Sequence, residues 1–115
     1  MHWHGLPVPA DQDGSPMDPV PPGATRVYEL DLPAGTAGTY WYHPHAHGTT
    51  AEQVAMGLAA PFIVRAADDP LAQFPEVTML VTGIRLGGGG QVSPNGPMDI
   101  AVGRQGEMLL VNGGR

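Results

Sequence analysis

Polar and apolar residues alternate along much of this chain with the two-residue period of a β-strand. From Thr25 to Leu32 (TRVYELDL), Val27, Glu29 and Asp31 fall on one side and Tyr28, Leu30 and Leu32 on the other. That pattern predicts a half-buried antiparallel strand. Thr39 to His45 continues the alternation, with Tyr40 and Tyr42 opposite Trp41, His43 and His45. Ala60 to Arg65 (APFIVR) and Val77 to Thr82 (VTMLVT) read as compact apolar strands, and Ile100 to Val102 and Met108 to Val111 as two short ones. Six prolines between Leu6 and Ala24 exclude a regular central strand there. The one helix predicted is Thr49 to Met56 (TTAEQVAM). Thr49 with Glu52, and Thr50 with Gln53, match the capping-box spacing, and Gly57 marks the stop.

Composition agrees with this pattern. Gly (17) and Pro (13) make up about a quarter of the 115 residues and punctuate runs rich in Val, Leu, Tyr and Thr. Many short strands joined by turns predict an all-β protein with one short helix. Residues 66–76 (AADDPLAQFPE) are polar and broken by Pro70 and Pro75. They divide the chain into a unit over 1–66, a linker over 67–76, and a second stretch over 77–115. That last stretch begins a second unit or adds strands to the first. Gly87 to Gly90 lacks the strand–glycine–helix context of a phosphate loop.

A net charge of −6 argues against a nucleic-acid partner. No apolar run is long enough to span a membrane. Met1 is followed at once by a histidine, so no secretory leader is expected. With no cysteine, there is neither a disulfide nor a thiolate ligand.

The histidines are the candidate chemistry. His2 and His4 form one H-x-H pair, His43, His45 and His47 continue the same spacing, and no others occur. Same-face positions on a strand lie about 6.6 Å apart, so two imidazoles at that spacing serve one ion or two neighbouring ions. Two such pairs on facing strands suit a multinuclear site, and nitrogen ligation favours copper, zinc, iron or nickel over magnesium or calcium. His47 lies where Pro44 and Gly48 end the strand, and is expected beside the ligand set. Trp41 and Tyr42 are expected as wall residues. H-x-H also occurs in zinc hydrolases, whose supporting carboxylates and βα pattern are missing here.

His2-Trp3-His4-Gly5 followed by Trp41-Tyr42-His43-Pro44-His45-Ala46-His47-Gly48 resembles the first two copper motifs of the multicopper oxidases, which include laccases and bacterial cuprous oxidases. The similarity extends through Asp13-Gly14, Pro21-Pro22-Gly23, residues 53–59 and residues 110–113. The resemblance implies a Greek-key cupredoxin β-sandwich, here incomplete, and copper as cofactor. It implies His2 as a type 2 copper ligand, and His4, His43 and His45 as ligands of a type 3 pair. Asp13, otherwise a turn residue, takes by resemblance a catalytic role in proton delivery. O₂ and a small reducing substrate, a phenol or cuprous ion, are the implied reactants, and the periplasm or the cell exterior the implied location. Family clusters use eight histidines from two domains. Four histidines here predict a truncated chain that forms a homo-oligomer with copper at subunit interfaces. The alternative is a non-catalytic copper-binding module without a type 1 copper.

Overall fold

β2 (Gly38–His43) is the middle strand of an antiparallel sheet in the order β1-β2-β3, between β1 (His2–His4) and β3 (Ala60–Val64). A second antiparallel pair joins β4 (Val81–Ile84) to β5 (Met108–Val111), and two short helices, α1 (Thr50–Ala55) and α2 (Pro97–Val102), complete the elements. The structure is a computed structural model and describes residues 1–114. No helix among the described residues is long and apolar enough to cross a membrane.

The register of β1 on β2 pairs His2 with His43, Trp3 with Tyr42 and His4 with Trp41. Side chains alternate across a strand, so His2, His4, Trp41 and His43 share one face. Trp3 and Tyr42 take the other, where the core sits. The Trp3 ring lies 5.4 Å from Tyr42, 5.6 Å from Tyr28 and 5.9 Å from Phe62. Leu6 is buried. The aromatic edges and faces therefore interlock on one side of a sheet whose other side carries the imidazoles.

Four expectations differ from the structure. The strand through 39–45 stops at His43, because Pro44 has no N–H to continue the ladder. Residues 25–32 form no strand: Tyr28, Leu30 and Leu32 are half-buried and Val27, Glu29 and Asp31 exposed, as the alternation predicts, yet no neighbouring strand pairs with them. Residues 77–80 precede β4 rather than belonging to it. There the Asn112 side chain stands in for a partner strand, accepting from Leu80 N–H (2.9 Å) and donating to Thr78 O (3.1 Å). Ile100–Val102 lie in α2, a second helix. Pro97 supplies its preset φ in the first turn, and the Asp99 carboxylate accepts the Gly96 N–H (2.7 Å).

Helix α1 falls where expected but closes differently. The Thr49 and Thr50 hydroxyls donate back to Ala46 O (3.2 and 2.9 Å) instead of capping the helix. Its other end is a Schellman turn: Leu58 N–H bonds Gln53 O and Gly57 N–H bonds Val54 O, both at 3.0 Å, with Gly57 at φ +97°.

Asp99 also faces Arg85, with Oδ1 3.1 Å from Nη1 and Oδ2 against Nη2, tying α2 to the end of β4. The Arg85 guanidinium and the Gly96 N–H hold the Asp99 carboxyl below the usual aspartate range. A carboxyl whose pKa is lower folded than unfolded stabilises the fold above its ordinary pKa of about 3.9 and loses that contribution as pH falls through the lowered value. Asp99→Asn is therefore expected to flatten the acid side of the Tm-against-pH profile. Identical acid slopes for the two proteins would rule out this linkage.

Candidate metal centre

Strand register creates the site. Pairing His2 with His43 places two H-x-H edges side by side, and the nitrogen donors of His2, His4 and His43 all lie within 4.8 Å of one another. His4 Nδ1 and His43 Nε2 are 3.4 Å apart. His45 lies just past the end of β2, outside that trio, with its ring centroid 5.1 Å from His2 and 5.7 Å from His43. His2 thus neighbours all three others, with His4 at 5.2 Å and His43 at 5.3 Å. Three of the four expected ligands thus cluster within reach of one another, and the fourth, His45, stands beside His2 and His43. His47 is exposed, its ring 6.2 Å from that of His45. Both line a cavity of about 400 Å³ with Tyr28, Asp18 and Gln53.

Hydrogen bonds fix two of the rings. His43 Nδ1 donates to Pro44 O (2.8 Å), since a carbonyl only accepts. Its Nε2 is left with a lone pair facing the cluster. His2 Nδ1 lies 2.9 Å from Asp13 Oδ1, an acceptor, which leaves His2 Nε2 free in the same way. The same Asp13 oxygen accepts the Trp3 N–H (3.0 Å), and Trp3 Nε1 donates to Gln12 O (2.9 Å). Residues 12–13 are thereby strapped along β1. This turn requires Gly14 at φ +68°, a conformation that glycine adopts without strain.

His43 is the most buried of the set, 6 % exposed. Burial pushes its imidazole below the ordinary histidine range; the bond to Pro44 O opposes this, and the His2, His4 and His45 imidazoles reinforce it. Each effect that lowers it favours the neutral ring, the form that ligates a metal.

These residues fit a copper-type ion. The donors are imidazoles, which suit copper and zinc. Two nitrogens sharing one ion through bonds of about 2 Å stand about 3–3.5 Å apart, and the His4–His43 separation of 3.4 Å falls in that range. A carboxylate behind one ligand and a carbonyl behind another is the usual support for metal-binding histidines. Opposite the sheet the site is open, because His4 is exposed.

The sequence pattern points to the histidines and the family resemblance to Asp13, but neither points to three groups that support the site. The Pro44 carbonyl and the Gln12 carbonyl are backbone atoms without a residue signature. The stacking of Trp41 on two imidazoles depends on a register that only the folded chain displays.

Residues 1–69 match the family model for multicopper oxidases. The multicopper oxidase mco of Staphylococcus aureus is 35% identical over 75 residues, 65% of this chain and 16% of that protein. Copper resistance protein A of Pseudomonas syringae pv. tomato is 30% identical over 86 residues, 71% of this chain and 13% of that protein. Among solved structures, a multicopper oxidase from Campylobacter jejuni described as a metallo-oxidase superposes with a TM-score of 0.91 at 47% identity, covering 98% of this chain and 24% of that one. The chain thus spans a quarter or less of each of these proteins, and its fold is that of a cupredoxin.

Proposed function

The chain belongs to the multicopper oxidase family, whose cofactor is copper, and from that premise we propose that it carries half of a trinuclear copper site in an oxidoreductase that reduces O₂ with electrons from a phenol or cuprous ion. The observation that carries this reading is the convergence of His2, His4 and His43 within 4.8 Å, with His45 alongside. In this reading His2 serves the type 2 copper, and His4, His43 and His45 the type 3 pair. When bound, copper supplies the one-electron chemistry that side chains lack. The chain supplies geometry and protons. Asp13 accepts the Nδ1 proton of His2 and keeps Nε2 free, and in this reading it also supports proton delivery to the site, the role the family resemblance implies for it. Pro44 O holds His43 in the same tautomer.

The open face supports a second half-site opposite. Two copies related by a two-fold axis would bring eight histidines together, four from each, in an isologous interface. A second reading, a copper-binding module without electron entry, draws on the composition: without cysteine, these 115 residues build no thiolate-ligated copper.

Copper loading followed by light scattering and O₂ uptake separates the readings. We expect a copper-containing dimer or larger assembly that consumes O₂ with a phenol or Cu(I). A monomer that retains copper would overturn the shared site. A copper-loaded assembly that consumes no O₂ with either reductant would favour the module.

A further inference from the structure

We propose that Trp41 is a positioning residue, an indole floor that sets His4 and His43 at ligand spacing. The inference rests on the copper-site reading above. Trp41 shares a face with His43 on β2 and pairs across the ladder with His4. Its ring system stacks on both imidazoles, at 4.7 Å and 24° for His4 and 4.3 Å and 26° for His43. The two imidazole centroids are only 5.6 Å apart. Rings on opposite faces of an indole would stand much farther apart, so both lie on the same face, side by side.

The other supports leave this role open. His2 is held by Asp13 and His43 by Pro44 O. His4 is exposed, and among the described residues the one polar side-chain partner of its ring is His43 itself, at 3.4 Å. Without a metal, that contact is the ligand pair and not an anchor. The other ring contacts of His4 are an edge contact with His2, itself one of the cluster, at 5.2 Å, and the stack on Trp41. Offset stacking fixes the tilt of a ring while leaving its edge nitrogens free. An indole can therefore orient a ligand without competing for its lone pair, and it keeps water from the covered side of the pair. A large flat residue does this; an aliphatic one fills the volume but sets no ring plane.

Three proteins test it: the wild type, Trp41→Phe and Trp41→Leu, each compared for Cu(II) affinity by chelator competition and for the Cu(II) EPR spectrum. Loss of an orienting partner typically weakens metal binding roughly 10- to 100-fold. That loss and a changed EPR spectrum are expected for Trp41→Leu, with Trp41→Phe recovering most of both. Metal-free unfolding midpoints that match between the Phe and Leu variants would exclude a merely structural effect. An independent measurement uses the wild type alone. In NMR of the Zn(II)-loaded protein, the imidazole C–H protons of His4 and His43 should keep the upfield ring-current shift that an indole face imposes. Loss of that shift on loading would overturn the proposal, because the stack would then break as the ligands close. Unchanged affinity and spectrum in Trp41→Leu would overturn it too, leaving the copper reading intact. A wild type that binds no copper would overturn both.

Discussion

His43→Ala is expected to abolish copper retention, the largest loss from any single substitution at the site. His43 is where the contacts meet. It is the ladder partner of His2, its Nε2 faces His4 Nδ1 at 3.4 Å, its ring centroid is 5.7 Å from that of His45, and it stacks on Trp41. It is also the most enclosed histidine, with its donor tautomer set by Pro44 O. Alanine removes a donor and leaves only two of the three clustered imidazoles. Losing a residue that merely orients a ligand costs roughly 10- to 100-fold in affinity, and losing the ligand should exceed the upper end of that range. Copper content after dialysis, together with chelator competition, measures this. His47→Ala is the matched control. Its exposed ring lies beyond the cluster, so copper content should equal that of the wild type. Full copper retention by His43→Ala would remove the basis for the assigned ligand set.

The part of the site legible in the sequence is the part governed by strand period. Alternation alone places His2 with His4, and His43 with His45, since side chains on one strand face repeat every second residue. What the sequence does not carry is register. A one-residue slip of β1 on β2 would put the two histidine edges on opposite faces, and nothing local distinguishes the two pairings. Residues 25–32 show the same limit from the other side. Their faces follow the alternation, but a strand also needs a neighbour, and that is a property of the whole chain. Gly96 and Pro97 carry the signal for a helix start, yet the apolar run at 100–102 matches a strand pattern as well, and only the packed chain decides between them. Asn112, at φ 50°, clamps residues 78–80 through its side-chain amide, a contact across more than thirty residues.

Asp13-Gly14 joins what is legible to what is not, and Gly14→Ala is expected to damage fold and site together. The Asp-Gly pair marks a turn; the structure adds that this turn lays Asp13 against His2 and Trp3. Gly14 is buried at φ +68°, and a Cβ there would run into the Met1 carbonyl oxygen and stand 2.6 Å from Met1 N. The left-handed backbone costs an L-residue about 1–2 kcal/mol. Forcing a methyl into backbone atoms adds about 1–3 kcal/mol. Against a typical total stability of about 5–15 kcal/mol, such a loss should be plain in denaturant unfolding of the metal-free protein. Relief of the clash moves residues 12–14 off β1 and takes Asp13 with them. Copper affinity should then fall by about the same factor as in Asp13→Ala, roughly 10- to 100-fold. The double variant separates the two effects. If Gly14 acts on copper only through Asp13, then adding Gly14→Ala to Asp13→Ala lowers stability further but leaves affinity where Asp13→Ala put it, a non-additivity expected of groups in one network. Additive losses in affinity would instead mean that the turn supports β1, and so His2 and His4, directly. Wild-type stability in Gly14→Ala would show that the turn can shift away from Met1 at no cost.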